Sequence, residues 1–322
     1  MKKLMKLVAI ILVALVAVSF TACKKSETTL HIGICQLVQH NALDQATQGF
    51  IDALQEACDA KGVKVEFDKQ NAQGDSNTCV TIVNSFVTKK YDLILANATA
   101  ALQAAYNGTT TIPVLGTSIT EYSVALGLKD YNGTVGGNVS GTSDLAPLTE
   151  QAQMMLDLLP NAQTFGLIYC SAEANSLYQV NAVKSYLESK GKTATLYSFT
   201  DSNDLSTVVT NAVAACDALY VPTDNTAAAN AQLIDSIARP AKCPIFAGEE
   251  SICEGCGFAT LSISYYSLGQ TTGKMAARIL LEGADISKMP VEYDSNPVKK
   301  YNKAICEELG ITIPADYVAI ED

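Results

Sequence analysis

The sequence contains no tryptophan and only two histidines, His31 and His40, in 322 residues. A catalytic triad of the Ser/His/Asp type would have to use one of these two histidines, and no G-x-S-x-G motif accompanies them. The motifs G-x-G-x-x-G and G-x-x-x-x-G-K-[ST], which bind nucleotide phosphates, are missing as well. These absences argue against triad-based hydrolysis and against nucleotide-dependent catalysis.

Positive charge is also scarce. The chain has 22 lysines and arginines against 33 aspartates and glutamates, which gives a formal net charge of −11. A negative field of this size repels a phosphate backbone, so nucleic acid is disfavoured as a partner. Apolar residues make up 48% of the chain, enough for well-packed cores in two domains of ordinary size.

Cysteine occurs at ten positions, about 3% of the chain, which is too sparse for a disulfide scaffold. Cys35, Cys170 and Cys243 lie in apolar, strand-like runs, where a free thiol packs as a small hydrophobic group. Cys253 and Cys256 form a C-x-x-C pair, but no second pair with zinc spacing accompanies it. We therefore predict no metal site and no cofactor, and we favour a structural role for this pair over a disulfide clip.

The N-terminus has the pattern of a bacterial export signal. Three lysines precede an apolar run of about 14 residues, short of the roughly 20 that span a bilayer as a helix. The following FTAC resembles the lipoprotein processing box, in which the cysteine is lipidated. We predict a signal peptide over 1–22, a lipidated tether over 23–29 with Cys23 as the acceptor, and an extracytoplasmic protein anchored to the bacterial cell membrane. An uncleaved anchor helix is the less favoured alternative.

From Leu30 onward, short apolar runs alternate with longer amphipathic segments. The runs LHIGICQLV, VKVEFDKQNA, YDLILANA and IPVLGTSI are typical of strands. The segment 44–57 predicts a helix with one apolar stripe, formed by Ala46, Phe50, Leu54 and Ala57. Lys61-Gly62 then supplies the basic residue and the glycine that are common at a helix C-terminus. This alternation predicts a parallel sheet with helices on both faces.

The same scheme starts again at Thr164, and short motifs correspond between the two halves. Lys61-Gly62 matches Lys190-Gly191, Asp75-Ser76-Asn77 matches Asp201-Ser202-Asn203, and Ile112-Pro113-Val114 matches Cys243-Pro244-Ile245. The chain is therefore predicted to form two similar Rossmann-like α/β lobes joined by a hinge. Lobe I comprises 30–140 plus 264–293, and lobe II comprises 141–263 plus 294–322.

Polar residues collect where the predicted strands end. Ligands of open parallel sheets bind beyond the carboxyl ends of the strands, so we expect these ends to line a cleft between the lobes. Many of these residues would also serve as helix caps, which is the alternative explanation for any one of them. The candidate ligand-binding residues at the strand ends are Gln36, His40, Thr99, Thr117, Ser118, Ser171, Glu173, Asn175, Ser176, Thr223, Asp224, Asn225 and Glu249.

The candidate residues include acids but no lysine or arginine. Buried acids without a cationic partner are costly, so a ligand ammonium would supply the missing charge near Asp224 and Glu249. A ligand carboxylate would be held at a helix N-terminus, near 171–176 or 117–120. The pattern favours a zwitterion such as an amino acid, and the excess of acids disfavours a phosphorylated ligand. Tyr265-Tyr266 would either stack on a ligand ring or close the core.

The motifs of this chain, taken in order, resemble one known family. The resemblance runs from about Ile32 to Pro314, and eight motifs in the same order make it specific. The motifs are HNALDQATQGFIDAL (40–54), NAQGD (71–75), IPVLGTSIT (112–120), NVSGTSD (138–144), YCSAEANS (169–176), VPTDNT (221–226), AGEE (247–250) and YYSLGQTTGKMA (265–276). They are similar to those of ABC-transporter substrate-binding lipoproteins of the tryptophan/tyrosine-binding type.

The resemblance implies a type I periplasmic-binding fold that closes around one small molecule and presents it to an ABC permease with its ATPase. It makes Trp, Tyr or Phe the leading ligands. On this hypothesis Asp224, with Glu249 or Asp144, holds the ligand ammonium, and the turn 171–176, with Thr117 and Ser118, holds its carboxylate.

Two positions depart from the family pattern. Glu121-Tyr122 stands where Asp-Pro is usual, and Ser264 stands where an aspartate is common. Either departure would redirect the pocket to another ligand. A sugar, a nucleoside or another neutral solute is therefore the alternative ligand. A sensing module is the alternative role, and an exported enzyme is the least favoured one.

Overall fold

The computed structural model describes residues 29–293 and 296–320. The predicted signal peptide (1–22) and the lipidation site Cys23 lie outside these ranges. No helix in the described ranges is both long and apolar enough to cross a membrane.

The elements alternate as the sequence pattern predicts. The first half contains β1 (Thr29–Gln36), α1 (Asn41–Lys61), β2 (Lys64–Asn71), α2 (Ser76–Lys89), β3 (Leu93–Asn97), α3 (Thr99–Gly108), β4 (Val114–Ile119), α4 (Tyr122–Leu126), β5 (Val139–Ser143) and α5 (Leu148–Leu158). The second half contains β6 (Thr164–Cys170), α6 (Ala174–Ser189), β7 (Thr193–Phe199), α7 (Ser202–Ala215), β8 (Ala218–Val221), α8 (Asn225–Ala229), α9 (Ala231–Ala238), β9 (Ile245–Ala247), α10 (Glu250–Gly255) and β10 (Ala259–Ser262). The chain ends with α11 (Tyr265–Glu282), a 3-10 turn (Ile286–Lys288), β11 (Glu292–Tyr293), β12 (Val298–Tyr301), α12 (Lys303–Leu309) and β13 (Val318–Ala319).

The strands form two sheets, one in each lobe. The sheet of lobe I has the order β2-β1-β3-β4-β5-β11, and all of its pairs are parallel. The sheet of lobe II has the order β7-β6-β8-β9-β10-β12-β13 and is parallel except for the β10–β12 pair. Because parallel strands end at the same edge, the carboxyl ends of each sheet gather the candidate residues on one side. The predicted α/β fold of two similar lobes is confirmed.

The first helix follows its sequence pattern closely. Ala46, Phe50 and Leu54 are fully buried, and Phe50 and Leu54 pack in a cluster with Ile32 and Met275. The helix ends at Lys61, and Gly62 caps it with a left-handed φ of 65° and N–H contacts to the last carbonyls. The predicted C-terminal signal therefore does what glycine commonly does at this position.

Helix α11 lies against α1 although it is more than two hundred residues away in sequence. The two backbones approach so closely that a Cβ at Gly49 would come within 2.1 Å of the Tyr266 carbonyl oxygen. A Cβ at Gly269 would come within 2.0 Å of the Ala46 carbonyl oxygen. Glycine at these positions lets α11 join lobe I.

The boundary between the lobes differs from the prediction at one point. Strand β5 lies wholly in the sheet of lobe I, where it pairs with β4 and β11. The predicted boundary between residues 140 and 141 falls inside this strand. Because the residues of β5 pair only with β4 and β11, the chain first leaves lobe I after Ser143 rather than at 140.

The cysteines of the described residues are all free. Cys253 and Cys256 are 0% and 3% exposed, and burial raises the pKa of both thiols. The described residues hold no cluster of three or more His, Cys, Asp or Glu side chains that would bind a metal ion. The favoured structural role of the C-x-x-C pair stays a prediction.

Candidate ligand-binding site

A narrow cavity lies between the lobes at the carboxyl ends of the strands. It comprises about 270 Å³ of space free of protein atoms, of which only about 10 Å³ is wide enough for the centre of a water molecule. Its lining consists of His40, Leu43, Ser118, Thr120, Asp144, Asn175, Thr223, Asp224, Asn225, Ala228, Glu249 and Tyr265. Eight of these twelve residues belong to the candidate set from the sequence, so the structure brings most of that set together.

Two wider grooves flank this cavity. One, with about 1320 Å³ of space free of protein atoms, shares His40 and Ala228 with it, and the other, with about 820 Å³, shares Asn225. Both grooves have walls from both lobes. A ligand larger than water therefore requires the lobes to separate slightly or to let part of the ligand reach a groove.

Hydrogen bonds from polar side chains of β1 and β3 hold the first turn of α1 in place. Gln36 donates to the Val38 carbonyl and to Asp44 Oδ1, both at 2.8 Å, and Asn97 donates to the Leu43 carbonyl at 2.8 Å. Gln36 also accepts from Thr47 Oγ1. Gln36 is thus a brace inside lobe I and does not line the cavity.

His40 stands at the start of α1 and faces lobe II. Its Nε2 is 3.3 Å from Asn225 Oδ1, which links the two lobes. Its Nδ1 is buried without a hydrogen-bond partner. Burial lowers the pKa of His40, so the ring is neutral near pH 7. In the neutral ring, with Nε2–H directed at the Asn225 oxygen, Nδ1 is an acceptor.

Strand β4 changes its register where it reaches the cavity. Ser118 has a left-handed φ of 57°, and the pairing with β5 shifts between Gly116 and Ile119. Ser118 Oγ is buried without a partner. Thr117 is buried away from the cavity, where its Oγ1 accepts from Thr142 Oγ1 at 3.3 Å. Ser118 therefore lines the cavity and Thr117 does not, although the two residues are neighbours in sequence.

Asp144 follows β5 and is 3% exposed. Its Oδ2 accepts from the Tyr265 hydroxyl at 2.9 Å, whereas its Oδ1 has no partner. Burial raises the pKa of this carboxyl group, and the hydrogen bond from Tyr265 lowers it in part. Asp144 Oδ2 is thus held by Tyr265, and Oδ1 is available to accept a hydrogen bond from another donor.

The three acids of lobe II are buried and accept hydrogen bonds from backbone N–H groups. Asp224 accepts from the Ala227 and Cys170 N–H groups at 2.8 and 2.7 Å. Glu249 accepts from the Ser251 and Ile252 N–H groups, both at 2.7 Å. Glu173 accepts from the N–H groups of Asn225 and Thr226 at 3.0 and 2.9 Å. The capping explanation therefore holds for Asp224 and Glu249, whereas Glu173 makes no cap bond to α6 and accepts from the first turn of α8 instead.

Two of these acids, Asp224 and Glu249, line the cavity and have raised pKa values. Burial, and then the neighbouring Glu173, raise the pKa of Asp224 to about 8, and burial raises the pKa of Glu249 to about 7. Among the described residues, none of the ion pairs involves Asp144, Glu173, Asp224 or Glu249. A cation entering the cavity would stabilise their ionised forms.

The turn after β6 contributes one free acceptor. Asn175 donates through Nδ2 to Glu173 Oε2 and to the Thr223 carbonyl, and its Oδ1 is buried without a partner. Thr223 is fixed by Gln179, which accepts from the Thr223 N–H at 3.1 Å. Asn175 and Thr223 both line the cavity.

Several predicted residues lie away from the cavity. Ser171 is exposed, and its hydroxyl donates to the Phe199 carbonyl. Glu173 lines one of the flanking grooves, and Thr99 and Ser176 are buried without lining the cavity. The turn 171–176 therefore presents Asn175 to the cavity rather than its serines.

Four lining residues were not in the predicted set, and they are Leu43, Thr120, Ala228 and Tyr265. Thr120 directly follows β4, and it belongs to the segment 117–120 that the sequence analysis considers for a ligand carboxylate without naming Thr120 as a site residue. Leu43 and Ala228 are apolar, so a search for polar residues at strand ends does not find them. Tyr265 is 4% exposed and reaches the cavity from α11, so the sequence alone did not show whether it closes the core or contacts a ligand.

Known proteins are similar to this chain in sequence and in overall structure. A family model for ABC transporter substrate binding proteins matches residues 31–320. A tyrosine-binding protein of Clostridioides difficile is 36% identical over 266 residues, which cover 83% of this chain and 76% of that protein. A solved ABC domain in complex with L-Trp from Streptococcus pneumoniae is 34% identical, with a TM-score of 0.83, and the match covers 89% of this chain and 97% of that one.

A ligand-free, open structure of a substrate binding protein with adhesive properties from Clostridium difficile is 36% identical but has a TM-score of 0.68, with 91% of this chain and all of that chain covered. This chain is therefore structurally more similar to the L-Trp complex than to this open structure, at a similar sequence identity. More distant solved structures share the type I periplasmic-binding fold alone. The chain belongs to the ABC transporter substrate-binding protein family, whose members bind a solute and are not enzymes.

Proposed function

We propose that this protein binds an aromatic amino acid between its lobes and delivers it to the permease of an ABC importer. The observation that carries this proposal is the convergence of four buried, unpartnered polar atoms on one cavity: His40 Nδ1, Ser118 Oγ, Asp144 Oδ1 and Asn175 Oδ1. Buried polar atoms without partners are rare in native proteins, and their clustering supports a ligand that completes their hydrogen bonds. The tyrosine-binding relative and the L-Trp complex support an aromatic ligand.

The unpartnered atoms match the head group of an amino acid. An α-ammonium group has three N–H donors, and His40 Nδ1, Asp144 Oδ1 and Asn175 Oδ1 are three acceptors. We assign Asp144 as the charged partner of the ammonium, with Asp224 and Glu249 adding negative potential. This replaces the first hypothesis, in which Asp224 was the main partner, because both oxygens of Asp224 already accept backbone N–H groups.

The ligand carboxylate is assigned to Ser118 and the start of α1. Ser118 Oγ is a hydroxyl without a partner, and His40, the residue before α1, makes no side-chain cap hydrogen bond to that helix. The positive end of the helix dipole favours an anion there. The ligand ring would then lie against Leu43, Ala228 and Tyr265, the less polar part of the lining, and extend toward a flanking groove.

The N-terminus completes the proposed role. Lipidation of Cys23 after removal of residues 1–22 would hold the protein at the outer face of the cell membrane, next to the permease and its ATPase. A diacylglycerol-modified cysteine supplies the two chains that stable anchoring requires.

A thermal-shift screen of residues 24–322 against the twenty amino acids, common sugars and nucleosides tests the proposed ligand class. A ligand at about a hundred times its Kd adds roughly 2.7 kcal/mol, which raises the Tm of a protein of this size by several degrees. We expect such a shift with L-Tyr, L-Trp or L-Phe and none with D-glucose. A shift with other solutes alone would overturn the aromatic assignment.

A neutral polyol is the second candidate ligand. Ten of the twelve lining residues are polar, as in sites that hydrogen-bond a sugar or nucleoside on all sides. The three acids that line the cavity, Asp144, Asp224 and Glu249, weigh against this candidate, because a neutral ligand supplies no cation to stabilise their ionised forms. The same screen separates the two candidates.

A further inference from the structure

Tyr122 is buried beneath the two strands that lead to the cavity. Its side chain is 1% exposed, and its hydroxyl donates to the Thr142 carbonyl at 3.2 Å. A Cβ at Gly116 of β4 would come within 2.5 Å of the Tyr122 hydroxyl oxygen, and one at Gly141 of β5 within 2.4 Å. Only glycine at both positions lets the phenol contact the backbones of both strands.

This contact coincides with the irregularity of β4. Gly116 pairs with Gly141, and the next pair joins Ile119 to Ser143, so β4 contains one residue more than β5 over this interval. The bulge places Ser118 at a left-handed φ of 57°. A residue with a side chain adopts this conformation at a cost of about 1 kcal/mol or more, so neighbouring contacts must hold it.

We propose that Tyr122 is a positioning residue for Ser118. Its side chain packs against the β4 bulge, holds the bulge in place and so directs Ser118 Oγ into the cavity. The hydroxyl group is the essential part, because it contacts Gly116 on one strand and the Thr142 carbonyl on the other. The inference rests on the proposed function in one respect, that Ser118 binds the ligand. Since Ser118 would contact the carboxylate common to all amino acids, Tyr122 sets their affinity and not the choice among them.

A double-mutant cycle between Tyr122 and Ser118 tests the positioning role. Isothermal titration with L-Tyr, L-Trp and L-Phe should show that Tyr122→Phe weakens binding by about 3- to 10-fold, the cost of a misdirected hydrogen bond. The factor should be the same for each amino acid that binds. Ser118→Ala should have a similar effect, and the double variant should bind no worse than Ser118→Ala alone.

Tyr91→Phe is the matched control, because the Tyr91 hydroxyl donates to Asp68 at 2.6 Å in lobe I without lining the cavity. It should leave the affinity unchanged. Additive losses from the changes at Tyr122 and Ser118, or a Tyr122→Phe factor that differs between the amino acids, would overturn the positioning role.

A second measurement needs no ligand. Gly116→Ala should lower the Tm because its Cβ meets the Tyr122 hydroxyl, and adding Tyr122→Phe should recover part of the loss. Gly141→Ala should not be recovered, since its φ is 146° and its Cβ would also lie 2.1 Å from the Gly116 carbonyl oxygen. Absence of recovery for Gly116→Ala would refute the proposed packing of Tyr122 against β4. If none of the three amino acids binds the wild-type protein, the proposed function fails, while these Tm measurements still test the packing of Tyr122 against β4.

Discussion

Asp144 and Asp224 are both buried at the cavity, but their oxygen atoms are used differently. Asp224 engages one backbone N–H with each oxygen, whereas Asp144 uses only Oδ2, for the Tyr265 hydroxyl. A residue whose hydrogen bonds are complete contributes to folding, and one with a free acceptor is available to a ligand. Substitutions at the two acids should therefore affect different properties, ligand affinity for Asp144 and folding stability for Asp224.

Asp144→Asn should weaken the binding of the amino acid by about 30-fold or more, because removing one partner of a buried charge pair costs 2 kcal/mol or more. Its ligand-free Tm should change little. Asp224→Ala should instead lower the free energy of unfolding by about 1–2 kcal/mol through loss of the α8 cap. Calorimetric titration and urea denaturation measure the two effects.

Asp52→Asn is a matched control for Asp144→Asn. Asp52 also accepts a tyrosine hydroxyl, from Tyr266 at 2.9 Å, but on the surface. It should alter neither affinity nor stability by more than a few tenths of a kcal/mol. A tight-binding Asp144→Asn variant would show that another group holds the ammonium.

The choice between these acids could not be made from the sequence. Strand-end positions identified both Asp224 and Glu249, because parallel strands end at one edge. Whether an oxygen is free depends on Tyr265, which is 121 residues from Asp144 and reaches it from another element. Hydrogen-bond partners of this kind are set by tertiary packing, which a local pattern does not contain.

At the scale of elements, the contact between α1 and α11 determines which lobe receives α11. Gly269 lies against the Ala46 carbonyl, with no room for a side chain. Gly269→Ala should lower the free energy of unfolding by about 2–3 kcal/mol, since a backbone clash forces the helices apart. Gly62→Ala, which adds only left-handed strain at an open position, should cost about 1 kcal/mol. Equal losses in thermal melts would contradict this packing argument.

The sequence pattern predicted the helices and strands better than it predicted the bulge in β4 and the boundary between the lobes. The stripe of Ala46, Phe50 and Leu54 and the stop at Lys61-Gly62 are local signals, and the structure confirms them. The β4 bulge at Ser118 is different, because it depends on β5 and on the buried Tyr122. The same reason explains the displaced lobe boundary, which is set by the pairing of β5 with β4.

At the scale of the whole molecule, the N-terminus determines where binding takes place. Cys23→Ser should release the protein from the cells that produce it, because the lipid chains are its proposed anchor. Cell fractionation and immunoblotting measure the release. Cys216→Ser, a change at a partly buried cysteine of the folded domain, is the control and should leave the protein on the membrane. Retention of the Cys23→Ser protein would contradict lipid anchoring at this residue.

The buried acids also make the whole molecule sensitive to pH. The pKa values of about 8 for Asp224 and about 7 for Glu249 lie above the values of acids in an unfolded chain. The folded state therefore binds more protons than the unfolded state in this range, and the ligand-free protein should become more stable as the pH falls from 8 to 6.5. Below 6.5 the lowered pKa of His40 opposes this trend, because the unfolded histidine gains a proton that the folded one resists.

An amino acid ligand should show the opposite dependence. Its ammonium group is stabilised by ionised carboxylates, so affinity should rise with pH over the same interval while ligand-free stability falls. The Tm of the free protein should thus decrease from pH 6.5 to 8, and the increase in Tm caused by the ligand should grow. Thermal melts at four pH values, with and without ligand, measure both trends. A ligand-induced shift that is constant across this interval would mean that Asp224 and Glu249 add no negative potential at the ligand ammonium, contrary to the role proposed for them.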